Sequence, residues 1–495
     1  MHTDDERRWD SHRSLGAARA AVAAGGGVYL GHDAHGWSFA APGHAVLVLG
    51  PPRSGKTSAL VVPNVLGAPG AVVTTSTKPD VLEATWAARS GVGACRLFDP
   101  TASLDPRHVP AGVSPVRWSP VPACERWDTA QLTARRMVAT SAPAAVAGSA
   151  ARVDAGDHWS ERAGTLLAPL LHAAALGGSP MSEVLRWVDR RDPAGAASVL
   201  AHTPGGDAAL ASDALSGIVA SDPRELSGIW STASGALAGY RTSAALDVAR
   251  DPDFDAGAFV RSGDTLYVCA PADRQALAAP MVVGLIDAVR SAAYEHHGRG
   301  AAGPPTLMLL DEAANIAPLP DLPSLVSEGG GQGLVTMACF QDLSQARHRW
   351  GSRADGFPSL FGTTVVLPGI GDVTTLRALS ALAGDVEAVR YSTSTGRVPS
   401  GHRWADALTG GAERTTVTRS TAPVPRLPVD VLAQGRPGYA VAFDQRNVAG
   451  WVPLAPAHSH EPWRTIVPLD AGRRAGPVLD GRPIGRDAPG LGRGR

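Results

Sequence analysis

Short, strongly apolar runs recur along the chain, and most of them are separated by stretches with helical periodicity. Runs of five to seven apolar or β-branched residues are typical of buried strands, and their alternation with helices is typical of parallel βαβ units. The runs that predict strands are 44–49, 71–75, 265–270, 306–310, 334–340 and 363–367. We therefore expect an α/β protein with at least six strands in a mostly parallel sheet.

The pattern changes between the second and third of these runs. The segments 129–140, 159–176, 182–189 and 213–247 are rich in alanine, helical in period and poor in strand signals. This texture predicts an all-α insertion over about 125–250, between two parts of the α/β domain.

Two later segments also depart from the alternation. Residues 391–425 contain runs of serine, threonine and glycine, which predict a mobile loop or a hairpin. The residues after Asp470 are rich in glycine, proline and arginine, a composition that predicts disorder. Contact between these arginines and nucleic acid stays open as an alternative to a solvated tail.

Composition limits the class of protein. A chain of 495 residues with 44% hydrophobic and 18% charged residues is typical of a globular protein with more than one domain. The net charge of −1 provides no overall attraction for nucleic acid, so such binding must be local. The four cysteines fit no metal or disulfide motif. The charged start and the lack of a long apolar stretch predict a cytoplasmic protein without a transmembrane segment.

A complete G-x-x-x-x-G-K-[ST] motif follows the first predicted strand. In this motif backbone N–H groups turn toward phosphates, the lysine reaches the β and γ phosphates, and the hydroxyl holds Mg²⁺. With the serine that opens the next helix, the motif residues are Gly50, Pro51, Pro52, Arg53, Ser54, Gly55, Lys56, Thr57 and Ser58. ATP and Mg²⁺ are the expected ligands, and Pro63 is expected to end or kink the helix.

The distribution of lysine supports this interpretation. Lys56 and Lys78 are the only lysines, and every other basic residue is arginine. Arginine serves as well as lysine at most surface positions, but a compact ammonium between phosphates in a tight loop is one place where it does not. Lys78 follows the second predicted strand, at the edge where open α/β sheets bind ligands, although an ordinary surface lysine is an equal alternative.

Two carboxylates close the strand at 306–310. Such a pair is the acidic partner of a phosphate-binding loop: Asp311 orients Mg²⁺, and Glu312 takes a proton from the attacking water. Gln341 ends the strand at 334–340, where a glutamine either senses the γ-phosphate or caps the loop with its amide. Lys56, Glu312 and Gln341 are therefore the candidate catalytic residues, and Thr57 and Asp311 the candidate metal ligands.

The chain resembles the coupling ATPases of type IV secretion, the TraG/TraD-like proteins of conjugative DNA transfer. The resemblance extends from about residue 27 to 456 and depends on ordered sequence blocks, of which the fourth is the most specific. These are PGHAVLVLGPPRSGKTSALVVPNVL, VVTTSTKPD, HWSERAGTLLAPLLHAAAL, PPTLMLLDEAANIAPLPDLPSLVSEGGGQGLVTMACFQDLSQARHRWG and VPRLPVDVL.

The resemblance implies a RecA-like P-loop NTPase fold with an inserted all-α domain that contacts cargo. It also implies a homo-hexamer that receives single-stranded DNA or a relaxase–DNA complex and passes it to components of a type IV secretion channel. Gln341 matches the glutamine that the family carries after this strand. A cytoplasmic location with peripheral association to the cell membrane is expected.

Two departures from the family pattern affect these expectations. Relatives usually begin with membrane-spanning helices, so a truncated start, a separate membrane partner and a soluble variant are all open. Relatives often carry an arginine finger where this chain reads Glu328-Gly329-Gly330-Gly331. Arg347, Arg349 or Arg377 are the candidates to replace it.

Two other functions fit parts of the pattern. An FtsK-like translocase of double-stranded DNA would share the fold, but the helical insertion favours the coupling family. A nucleotide-binding cargo receptor with little hydrolysis would explain the missing arginine. The expected domains are a polar N-terminal segment (1–26), a nucleotide-binding domain in two parts (27–124 and 251–460), the all-α insertion (125–250) and a disordered tail (461–495).

Overall fold

One ten-stranded sheet organises the molecule, which is a computed structural model that describes residues 2–141, 150–398 and 412–467. The sheet has the order β14-β13-β10-β3-β9-β8-β4-β7-β5-β6, and the eight strands from β10 to β6 are parallel. β13 and β14 extend one edge in antiparallel pairing. The predicted mostly parallel α/β sheet is confirmed, and all six predicted strands are present.

The strands of the molecule are β1 (Tyr29–Asp33), β2 (Gly36–Phe39), β3 (Val46–Leu49), β4 (Val72–Ser76), β5 (Cys95–Phe98), β6 (Val113–Pro115), β7 (Thr265–Cys269), β8 (Thr306–Leu310), β9 (Leu334–Phe340), β10 (Thr363–Val366), β11 (Asp385–Val398), β12 (Ala412–Pro425), β13 (Tyr439–Phe443) and β14 (Ala449–Pro453). β1 and β2 form a small antiparallel pair. β11 and β12 pair along fourteen residues each, so the segment predicted as a loop or hairpin is a hairpin, with residues 399–411 outside the described part.

The α-helices are α1 (His2–Gly25), α2 (Val62–Gly67), α3 (Asp80–Arg89), α4 (Trp127–Ser141), α5 (Ala150–Leu176), α6 (Met181–Arg190), α7 (Ala194–His202), α8 (Gly206–Val219), α9 (Pro223–Ala236), α10 (Ser243–Val248), α11 (Ala256–Val260), α12 (Gln275–Gly298), α13 (Leu322–Glu328), α14 (Leu343–Trp350), α15 (Phe357–Leu360) and α16 (Val373–Ala383), followed by Val429–Gln434 and Trp463–Ile466. A π-helical turn, Thr57–Val61, precedes α2.

Both faces of the sheet are covered, as the alternation along β3 shows. Leu47 and Leu49 belong to the large apolar cluster that also contains the inward sides of α4, α5 and α12. Val46 and Val48 belong to a second cluster with residues of α2 and α3 on the other face. A strand buried on both faces explains the near-continuous apolar runs in the sequence.

Every regular element described between 127 and 260 is helical. These helices are joined to the α/β body through α12, where Arg136 of α4 contacts Asp287 and Arg290 bonds the same carboxylate at 2.6 Å. The exact limits of the insertion stay a prediction. Among the described helices, α12 is the one long and apolar enough to cross a membrane, but 56% of its apolar window is buried inside the protein.

The start of the chain and residues 461–467 differ from the expected domains. Within the segment 1–26, expected to be polar, residues His2–Gly25 are helical, and Leu15, Ala18 and Val22 pack into a third apolar cluster. Trp463 is fully buried in the same cluster, so the predicted disorder from residue 461 is wrong for 461–467. The apolar residues of each segment cover one another, a pairing that local composition does not reveal. Residues 468–495 lie outside the described part of the chain.

A buried arginine forms hydrogen bonds at the end of the sheet where the parallel strands begin. Arg89, at the end of α3, has no exposed surface and donates to Thr265 Oγ1 at 2.7 Å. Its guanidinium also donates to the carbonyls of Ala68, Gly70 and Gly263 at 2.6 to 2.9 Å. Burial lowers the pKa of Arg89 to about 10, so it stays charged at neutral pH.

We expect Arg89→Met to lower the free energy of unfolding by about 3 kcal/mol or more, because buried carbonyls lose a charged donor. Denaturant unfolding measures the change. The control is Arg299→Met, since Arg299 is exposed and forms a single pair with Glu295 at 2.5 Å. Equal stability of the two variants would contradict the role given to Arg89.

Candidate nucleotide site

The glycine-rich loop leaves β3 through positions that require its particular residues. A Cβ at Gly50 would lie 2.8 Å from Ser54 Oγ and 2.9 Å from Leu367 Cβ, so a side chain does not fit there. Arg53 (φ 64°) and Gly55 (φ 96°) have left-handed backbone conformations. Such turns direct successive N–H groups into a concave nest that binds anions.

Two polar side chains of this loop suit a phosphate ligand. Lys56 is buried, with only 6% of its surface exposed. Its Nζ donates to the carbonyl of Gly50 and to that of Pro51, the latter at 3.0 Å. The Ser54 hydroxyl is buried and has no hydrogen-bond partner among the described residues. An unpartnered hydroxyl and a buried ammonium in one nest form a donor set that fits an anionic phosphate chain.

Asp311 reaches this loop from β8. Its Oδ2 accepts a hydrogen bond from Thr57 Oγ1 at 2.8 Å, although the two residues are 254 positions apart. Thr75 Oγ1 of β4 donates to the Asp311 carbonyl at 2.8 Å and fixes the backbone. Burial raises the pKa of Asp311 to about 6, while the bond from Thr57 and the charge of Lys56 lower it. A cation beside Asp311 would therefore favour its charged form.

Glu312 stands in a strained backbone conformation. Its φ of 55° is uncommon for a residue with a side chain and costs on the order of 1–3 kcal/mol, a strain that is concentrated at functional sites. The carboxylate Oε2 accepts from Asn315 Nδ2 at 3.3 Å and from Gln345 Nε2 at 3.4 Å. Glu312 is half-buried beside Asp311 and lines the same cleft.

Gln345 also belongs to the site, although no motif in the sequence predicts it. Its Oε1 accepts from the backbone N–H of Gln341 at 2.9 Å while its Nε2 bonds Glu312, so both ends of the amide are held. Gln341 makes no side-chain hydrogen bond within the described residues, and its catalytic role stays a prediction. No local pattern marks Gln345, because Gln341 precedes α14 and the two glutamines do not share a helix face.

A cleft of about 500 Å³ joins these groups. It is lined by the loop, by the end of β4 and the start of α3, by Asp311 and Glu312, and by residues near the end of the chain. The residues are Pro52, Arg53, Ser54, Gly55, Lys56, Thr57, Ser58, Val62, Ser76, Thr77, Lys78, Pro79, Asp80, Glu83, Ala84, Asp311, Glu312, Ala457, His458 and Val467. Lys78 therefore lies at the cleft, whereas no local pattern indicated Ala457 or His458.

The Thr57 hydroxyl and the Asp311 carboxylate are hard oxygen donors, which fit Mg²⁺ rather than a transition metal. Within the described residues there is no cluster of three histidine, cysteine or acidic side chains for another metal.

The three candidate arginines differ in their surroundings. Arg347 is paired with Asp355 at 2.7 Å and with Asp372 at 3.4 Å. Arg349 donates to the carbonyl of Thr140 at 2.7 Å. Arg377 is exposed on α16 and has no polar partner among the described residues. Arg377 does not line the nucleotide cleft of its own subunit.

Comparison with known structures shows a similar fold. The bacterial conjugative coupling protein TrwBdeltaN70, in an unbound monoclinic form, superimposes with a TM-score of 0.60 at 17% identity, covering 83% of this chain and 84% of that one. Plasmid coupling protein TrwB in complex with ADP and Mg²⁺ gives 0.59 at 18% identity, with 84% and 86% covered. TrwB in complex with the GTP analogue GDPNP gives 0.58 at 16% identity, with 83% and 85% covered. These likenesses confirm the RecA-like α/β fold.

Comparison by sequence identifies the family. No curated protein matches the chain. The family profile of type IV secretory system conjugative DNA transfer matches residues 6–403, which is most of the chain. The chain belongs to the type IV secretory system conjugative DNA transfer family, the family of the coupling proteins.

Proposed function

We propose that this coupling protein hydrolyses ATP and uses the energy to move DNA or a relaxase–DNA complex into a type IV secretion channel. The observation that carries the proposal is the 2.8 Å bond between Thr57 and Asp311, which joins the phosphate-binding loop to the acidic strand end. TrwB in complex with ADP and Mg²⁺ supports the choice of ligands. We propose a homo-hexamer at the cytoplasmic face of the membrane, with the helical insertion toward the cargo.

Each polar group has a distinct role in this reaction. The loop N–H groups, Ser54 and Lys56 bind the phosphates, and Glu312 accepts a proton from the attacking water. Gln345 holds the Glu312 carboxylate in place. Mg²⁺ bound by Thr57 and Asp311 would neutralise charge on the phosphate oxygens.

The first test separates binding from hydrolysis. We expect Lys56→Ala to abolish nucleotide binding, because the loop loses its cation. Glu312→Gln should keep binding but lose ATP turnover, since an amide does not accept the proton. Binding is measured with a fluorescent ATP analogue and turnover by phosphate release, with and without single-stranded DNA. Glu295→Gln, on the exposed end of α12, is the control. An unchanged nucleotide affinity in Lys56→Ala would refute the assignment of this loop as the phosphate-binding loop. Persistent ATP turnover in Glu312→Gln would refute the assignment of Glu312 as the base.

The second test compares the two glutamines. We expect Gln345→Ala to lower kcat about tenfold with little change in KM, because Glu312 loses a positioning donor. A kcat loss in Gln341→Ala alone, with Gln345→Ala like wild type, would assign the role to Gln341 instead.

The third test concerns the arginine supplied to a neighbouring subunit. Because Arg377 is exposed and lies outside its own cleft, we propose that it stabilises charge at the next subunit's nucleotide. Arg377→Ala should lower turnover about 10³-fold with nucleotide affinity retained. Mixing it with Lys56→Ala subunits should restore activity, since each supplies what the other lacks. Full activity of Arg377→Ala, as expected for the control Arg299→Ala, would contradict this role.

A further inference from the structure

Residues 456–467 form a segment that we call the C-terminal strap, and it meets the phosphate-binding loop directly. The Ala457 N–H donates to the carbonyl of Ser58 at 2.8 Å. Ser58 is the second residue after Lys56, so this bond places the strap at the wall of the cleft.

The bond has a cause in the sequence of the loop helix. In the π-helical turn the Val62 N–H bonds the carbonyl of Thr57, five residues back. The next carbonyl, that of Ser58, would need the N–H of residue 63, but Pro63 has none. Pro63 does not end the helix, which continues to Gly67. It leaves the Ser58 carbonyl without a hydrogen-bond donor from the helix. The strap supplies the missing donor.

The far end of the strap is fastened to the first strand pair. His32 Nε2 bonds the Glu461 carbonyl at 2.6 Å, and His32 Nδ1 bonds Tyr29 Oη at 2.6 Å. Trp463 is fully buried, and its ring meets that of Tyr29 edge-on at 5.5 Å. The strap is therefore fixed at both ends and holds its cleft-lining residues in place.

The strap gives the cleft a second kind of surface. Val62, Ala84, Ala457 and Val467 line the cleft, and all four belong to the third apolar cluster. His458 lines the cleft beside them. The cleft is thus lined by polar donors and carboxylates and also by one cluster of apolar side chains, next to which His458 lies.

These two surfaces match the two parts of a nucleotide. A triphosphate needs the ammonium and N–H groups of the loop, whereas a planar base gains from leaving water and stacking on a ring. Burial and the neighbouring His460 lower the pKa of His458, so its imidazole is neutral at pH 7.

We propose that the strap forms the base-binding part of the nucleotide site, with His458 against the purine ring of the bound triphosphate. This inference rests on the proposed ATP-binding function. It makes His458, more than 400 residues from the phosphate-binding loop in sequence, a determinant of nucleotide affinity.

The experiment separates base from phosphate recognition in the full chain. Dissociation constants are measured for ATP and for inorganic tripolyphosphate, which has no base. We expect His458→Ala to weaken ATP about tenfold and to leave tripolyphosphate unchanged. His458→Phe, which keeps a ring, should bind ATP within about twofold of wild type. His460→Ala is the matched control, because His460 lies outside the cleft lining.

Each outcome decides one question. An unchanged ATP affinity in His458→Ala, an equal loss for ATP and tripolyphosphate, or equal weakness of the Ala and Phe variants would overturn the role of His458. If Lys56→Ala binds neither ATP nor tripolyphosphate, the proposed function stands, whatever the affinities of the His458 variants. Retention of both ligands in Lys56→Ala would instead overturn the proposed function.

Discussion

The hydrogen bond between Thr57 and Asp311 is the constraint on which the site depends. It requires that the strand carrying the glycine-rich loop and the strand carrying the acids be parallel and end at the same edge. β9 lies between these two strands, so the residues that follow it enter the site beside Glu312. At the other end of the strands, the buried Arg89 guanidinium donates hydrogen bonds to the backbone just before β4 and β7, and these bonds fix where the two strands begin.

α14 connects this site with the helical insertion. Near its start Gln345 contacts Glu312, and one turn later Arg349 bonds the Thr140 carbonyl at the end of α4. Arg136 of α4 in turn contacts Asp287 of α12. Polar contacts of α14, α4 and α12 thus join the candidate nucleotide site to the helices proposed to face cargo.

Much of the candidate site could be predicted because its residues are local in sequence. A tight turn that binds phosphate needs glycines and one lysine within eight positions, and the acid pair directly follows an apolar strand. Gln345 could not be predicted, because its partner Glu312 lies 33 positions away, and a side-chain contact between a helix and the loop after a strand leaves no periodic pattern. The short strands β5 and β6 could not be predicted either, because Arg96 and Pro115 interrupt their apolar pattern.

The sequence by itself determined the parallel α/β sheet, the helices in the middle of the chain and the glycine-rich loop. Each of these features depends on the periodicity of apolar residues or on a short motif. Only the tertiary structure decided that α1 and the C-terminal strap pack together and that the strap forms one wall of the cleft. The physical reason is that Trp463 and Tyr29 are 434 residues apart and are buried by each other. The carbonyl that Pro63 leaves without a helical donor likewise finds its partner in Ala457, at a distance along the chain that no local pattern encodes.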